Sequence, residues 1–110
     1  MAASPTVDDL LSQYVAVLNE MHQHRVELGG KPRIWNRLVH EAQKLHLALR
    51  ESVEGRAAIT ALVFEGENSP IRDWSACNAL AWDASRVRPY LESRATDPDL
   101  GAVAAKWTPL

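Results

Sequence analysis

Apolar residues recur along this chain at intervals of three, four and seven, and the two-residue alternation of a strand appears nowhere, so the pattern predicts helices alone. The first run opens at Thr6, three residues before Asp9, in a capping-box-like arrangement that satisfies a free backbone N–H and sets acids at the positive helix end. Val7, Tyr14, Met21 and Leu28 then repeat every seven residues, with Leu10, Leu11, Val17 and Leu18 on the same face. A helix of about six turns is expected, stopped by Gly29–Gly30.

Pro32 suits the first turn of a second helix, along which Ile34, Trp35, Leu38, Ala42, Leu45 and Leu49 again fall three or four apart. Its other side carries Arg37, Glu41, Lys44 and Glu51. The two helices read as an antiparallel hairpin over residues 6–52. After Gly55 the dense run Ala57–Phe64 predicts a short, well-buried third helix ending at Gly66. Asn68–Ser69–Pro70 is a strong start signal, with Ser69 as cap and Pro70 in the first turn of a fourth helix through Trp82. On a helical wheel Ile71, Trp74, Ser75, Asn78, Ala79 and Trp82 share one broad side, and Arg72 and Asp73 point away. Ser85, with Pro89 beyond it, predicts a fifth helix, and Asp97–Pro98 a sixth carrying Leu100, Val103, Ala104 and Trp107.

The segment Asn68–Ser69–Pro70–Ile71–Arg72–Asp73–Trp74–Ser75–Ala76–Cys77–Asn78–Ala79–Leu80 resembles the second-helix signature of HEAT-like repeats, where a turn ending in Pro precedes a branched residue, Arg and then small residues. With Trp82–Asp83 and Pro89–Tyr90–Leu91–Glu92, the chain more particularly resembles a family of short bacterial proteins of unknown function, built from a helical hairpin and one HEAT-like unit. The resemblance spans residues 57–107 or so and departs from the repeat pattern at Asn78, where a small or apolar residue is usual. It implies no shared catalytic or metal-binding set. Some similar small proteins resemble immunity proteins, which neutralise a toxin encoded beside them.

The resulting expectation is one all-α domain over residues 1–110 with about six helices. The N-terminal hairpin would pack on a HEAT-like α-α unit over residues 55–107. A full solenoid is excluded, because stacked repeats need about three units and this chain has room for one or two.

Composition narrows the function. The chain has 110 residues, 46% of them hydrophobic and 24% charged, which suits one globular domain. Its 12 basic and 14 acidic residues form no basic run longer than Arg86–Val87–Arg88, so nucleic acid is not the expected partner. The N-terminus lacks a positive segment leading into an apolar core, and no run suffices to span a bilayer, so neither export nor membrane anchoring is expected. A single cysteine, Cys77, favours a reducing compartment, the cytoplasm.

Candidate chemistry is sparse. His22, His24, His40 and His46 have no spacing of four between any two and read as exposed or interface residues rather than metal ligands. Asp8 and Asp9 are adjacent and suit a helix start better than acid–base work. Cys77 lies within a helix of small residues, not at a helix N-terminus, and reads as a structural thiol. Gly29–Gly30–Lys31 lacks the rest of a phosphate loop. No catalytic residue, cofactor or metal is expected.

What remains is binding. Tryptophan and arginine concentrate in interface hot spots, which directs attention to Trp35, Arg72 and Trp74 among four tryptophans. Asp73 joins them on the rim, and Asn78 must either satisfy a backbone group or line a groove. Glu65, Glu67, Asp73, Asp97 and Asp99 would cluster at turns and steer a basic partner. The expected function is a non-catalytic protein-binding module, specifically an immunity protein for a cognate toxin. Two alternatives stand beside it: a structural or regulatory homo-oligomer built on the first hairpin, and a small enzyme or ligand-binding protein using Asn78, His40 and Cys77.

Overall fold

A computed structural model of the chain describes residues 5–25 and 29–95, and every regular element in them is an α-helix. There are four, not six: α1 (Val7–Gln23), α2 (Pro32–Arg50), α3 (Val53–Glu65) and α4 (Ser69–Ala95). The sixth helix of the sequence reading, with Trp107, Asp97 and Asp99, lies outside the described residues. Two compact units result, Met1–Ala58 and Ile59–Leu110, with the division inside α3.

In the first unit, α1 begins as its sequence dictates. Thr6 Oγ1 accepts from the Asp9 N–H at 3.1 Å and Asp9 Oδ2 accepts from the Thr6 N–H at 3.2 Å, closing the capping box. Tyr14, Leu18 and Met21 are buried. The helix stops well before Gly29. His24 donates its N–H to both Glu20 O and Met21 O, at 3.0 and 3.2 Å, a tightening typical of a helix terminus. Gly29 still adopts the left-handed conformation its sequence predicts, at φ 89°.

Pro32 occupies the first turn of α2, which packs on α1; a pair joined by so short a connection runs antiparallel. Leu38, Ala42, His46 and Leu49 form its buried stripe, and Arg37, Glu41, Lys44 and Glu51 are exposed. His46 is therefore a core residue, where an exposed or interface histidine was expected. Its position on the wheel, four after Ala42 and three before Leu49, puts it on the buried face whatever its chemistry.

α3 starts at Val53, not after Gly55, because Ser52 Oγ accepts from the Gly55 N–H at 2.9 Å and opens the first turn. A Cβ on Gly55 would run into the Leu49 carbonyl, so glycine permits this close approach. Nor is α3 buried all round. Ile59, Thr60 and Val63 are buried in the second unit, whereas Val53 and Phe64 are 74% and 44% exposed.

The cap of α4 is Asn68, not Ser69: its Oδ1 accepts from the Ile71 N–H at 3.1 Å. The fourth and fifth helices of the sequence reading are joined in α4, with a non-helical residue at Asp83 (φ −142°, ψ 48°). Arg94 Nε nevertheless lies 3.0 Å from Asp73 Oδ1. Twenty-one residues of straight helix would separate these two by about 31 Å, so α4 doubles back sharply at Asp83. Its first arm (residues 69–82) buries Ile71, Ser75, Ala76 and Ala79, and its second arm (residues 84–95) buries Val87 and Leu91. Pro89 sits within the second arm, where it removes the N–H that would bond Ser85 O.

Candidate functional site

The richest concentration of interacting polar and aromatic side chains lies in the second unit, where both arms of α4 meet the C-terminal end of α3. Asp73, on the first arm, is its centre. Asp73 Oδ1 accepts from the Tyr90 hydroxyl at 2.6 Å and from Arg94 Nε at 3.0 Å, and Oδ2 accepts from Arg94 Nη2 at 3.1 Å. The Arg94 fork is thus bidentate, the geometry in which an arginine–carboxylate pair is strongest. Both partners come from the second arm and lock it to the first.

Arg72, the neighbouring residue, is equally engaged. Its Nε donates to Val63 O at 2.8 Å, supplying a partner to a carbonyl in the last turn of α3. Its guanidinium lies 5.1 Å from the Tyr90 ring centroid, within cation–π range. The helical wheel points Arg72 and Asp73 away from the packed side; both instead reach groups brought in by the fold. Trp82, at the end of the first arm, donates Nε1–H to the buried Thr60 hydroxyl at 3.1 Å and is half-buried.

The outer part of this cluster is Phe64. Its ring meets Tyr90 edge-on, with centroids 6.4 Å apart at 73°, and the Arg86 guanidinium stands 5.4 Å from its centroid. Arg86, itself well exposed, also pairs with Asp83 at 3.6 Å. Glu65 and Glu67 are exposed close by in sequence.

These surroundings set the titration of two groups. Burial, its hydrogen bond to Asp73 and the Asp73 charge all push the Tyr90 hydroxyl well above its ordinary value. Burial first, and the Asp73 carboxylate second, push the Cys77 thiol up to about 11, so it stays protonated and weakly nucleophilic at neutral pH.

Of the residues singled out by sequence, Arg72 and Asp73 belong to this cluster, and Glu65 and Glu67 are exposed beside Phe64 in the chain. Trp74 and Asn78 are half-buried on the first arm. Trp35 is half-buried on α2, in the first unit; His40 of the ligand-binding alternative also lies on α2 and is exposed. Sequence reasoning missed Phe64, Arg86, Tyr90 and Arg94. The available signal was the aromatic and arginine content itself, since no local spacing links Asp73 to residues 17 and 21 positions later.

Among the described residues no three His, Cys, Asp or Glu side chains gather as a metal-binding group, and no helix is long and apolar enough to cross a membrane. No protein-family model, curated protein or solved structure matches this chain.

Proposed function

We propose that the chain is a non-catalytic helical binding module for another protein, and specifically an immunity protein that occludes a cognate bacterial toxin in the cytoplasm. The single observation that carries this reading is Phe64, a large aromatic left 44% exposed with Arg86 set against its ring. Exposed aromatic and arginine side chains are the usual anchors of protein interfaces. Tyr90, held through Asp73, supports the Phe64 ring from behind and limits the freedom it would lose on binding. Glu65 and Glu67 would flank the contact and steer a basic partner.

Co-expression with the product of the neighbouring gene tests this reading. The expected result is growth rescue by the natural chain, and loss of rescue by Phe64→Ala with helicity kept and by Glu65→Lys combined with Glu67→Lys. Val53→Ala, in the first unit, should rescue fully. Absence of rescue by the natural chain, or full rescue by Phe64→Ala, overturns it.

A second reading, a homo-oligomer built on the first hairpin, has support of its own in Leu47 on α2, which is 45% exposed, with Val53 of α3 74% exposed in the same unit. Sedimentation of the natural chain and of Leu47→Glu across a hundredfold concentration range tests it: self-association that Leu47→Glu abolishes is expected, and a constant monomer mass, or association that the substitution leaves unchanged, removes the oligomer.

A further inference from the structure

α4 reverses direction at one residue. Asp83 alone has non-helical dihedrals, and helical residues adjoin it on both sides. A loop of several residues absorbs a change of direction gradually; a one-residue hinge leaves two alternatives, the doubled-back form or a straight helix. Short hinges of this kind favour exchange of the element beyond them.

The contacts that join the second arm to α3 and the first arm span long sequence separations. Tyr90 and Arg94 meet Asp73, Arg72 lies over Tyr90, and Arg86 and Tyr90 meet Phe64. Buried Val87 and Leu91 supply the apolar part of the arm. None of these contacts depends on both partners belonging to one chain. If Asp83 became helical, α4 would gain the backbone hydrogen bonds interrupted there, and Arg94 would move about 31 Å along the axis from Asp73. The vacated surface of α3 and the first arm would then fit one object best: the second arm of another copy.

We propose that the second unit exchanges residues 84–95 with a second copy of this chain, giving a closed two-fold dimer. In it the Asp73 carboxylate of each chain receives Tyr90 and Arg94 of the other. Monomer and dimer make the same side-chain contacts and differ at the hinge, so concentration and the helical preference of residue 83 set the balance. This exchange is independent of the toxin-binding reading, and it uses a different surface from the first-hairpin oligomer.

Charge reversal tests it on full-length chains. Asp73→Arg sets two cations together, and Arg94→Asp sets two anions together, so each variant alone loses the contact. Mixed in equal amounts after transient partial unfolding, they regain it only by exchange: the dimer of unlike chains carries one natural pair and one reversed pair. Native mass spectrometry should show that mixed dimer well above the two-to-one excess over either like dimer that random pairing gives. Monomers alone, or dimers with no preference for unlike chains, overturn the proposal. Asp83→Ala provides a second arm that leaves the latch intact. Alanine favours the straight helix once in each chain, so the dimer association constant should rise roughly tenfold by light scattering, with helicity retained. An unchanged constant overturns the proposal as well.

Discussion

The two units solve the same problem, covering the apolar face of a helix, by different means. In the first, residues at intervals of three, four and seven form continuous stripes, Tyr14–Leu18–Met21 on α1 and Leu38–Ala42–His46–Leu49 on α2, and the hairpin follows from bringing them together. In the second, the buried residues are smaller on the whole, with Ser75, Ala76 and Ala79 prominent, and a bidentate ion pair with an aromatic cluster holds the reversal of α4. Apolar stripes tolerate some sliding, because burial is not directional. The latch at Asp73 fixes one register.

That contrast breaks most visibly in the core. Leu49 is fully buried in the first unit and Ile71 nearly so in the second. Replacing either with alanine should cost about 2–5 kcal/mol in denaturant titrations. Hydrogen exchange would localise each loss, with Leu49→Ala acting on α1 and α2 and Ile71→Ala on α4. Equal loosening of all helices by both variants would contradict the division into units.

Next in size is the latch. A double-mutant cycle of Asp73→Ala and Arg94→Ala should give a coupling energy of roughly 1–2 kcal/mol, more than an ordinary surface pair, because the bonds are bidentate and Arg94 is only one-fifth exposed. Coupling near zero would reduce it to a surface ion pair. A smaller effect, about 1 kcal/mol, is expected for Asn68→Ala, which removes the acceptor for the Ile71 N–H. Ser69→Ala should change little, and the opposite ranking would return the cap to Ser69.

The gentlest effect is one of pH, and it belongs to the first unit. His46 is buried, its Nδ1 lies 3.4 Å from Gln43 Oε1, and desolvation followed by the Arg50 charge lowers its pKa below the ordinary 6.5. Well above pH 6.5 the ring is neutral folded or unfolded and has no linkage effect. As pH falls below that, the unfolded chain takes up a proton that the folded unit resists, so stability declines until the folded-state pKa is passed. Denaturation midpoints taken from neutral to mildly acid pH should fall for the natural chain and flatten for His46→Leu.

Much of the first unit was legible in advance. The capping box at Thr6 and Asp9, the proline at the start of α2 and the exposed charges opposite its stripe are local features, written within one or two turns of sequence. Residue type misleads about burial there: His46 lies on the apolar stripe and is buried with it. The second unit was legible only in pieces. Its helical class and the break near Trp82–Asp83 could be read. That Arg72 and Asp73 turn inward to Val63, Tyr90 and Arg94 could not, since those partners come within reach only once α4 doubles back.

The sequence by itself determined the all-helical class, the starts of α1 and α2 and the faces they bury. These depend on hydrogen bonds and side-chain spacing within a few residues, which the order of amino acids specifies directly. Only the tertiary structure decided that Phe64 stays exposed, that Cys77 is held protonated, and that Asp73 binds instead of facing solvent. Each depends on which distant residues the reversal at Asp83 brings together, and no periodicity along the chain encodes that distance.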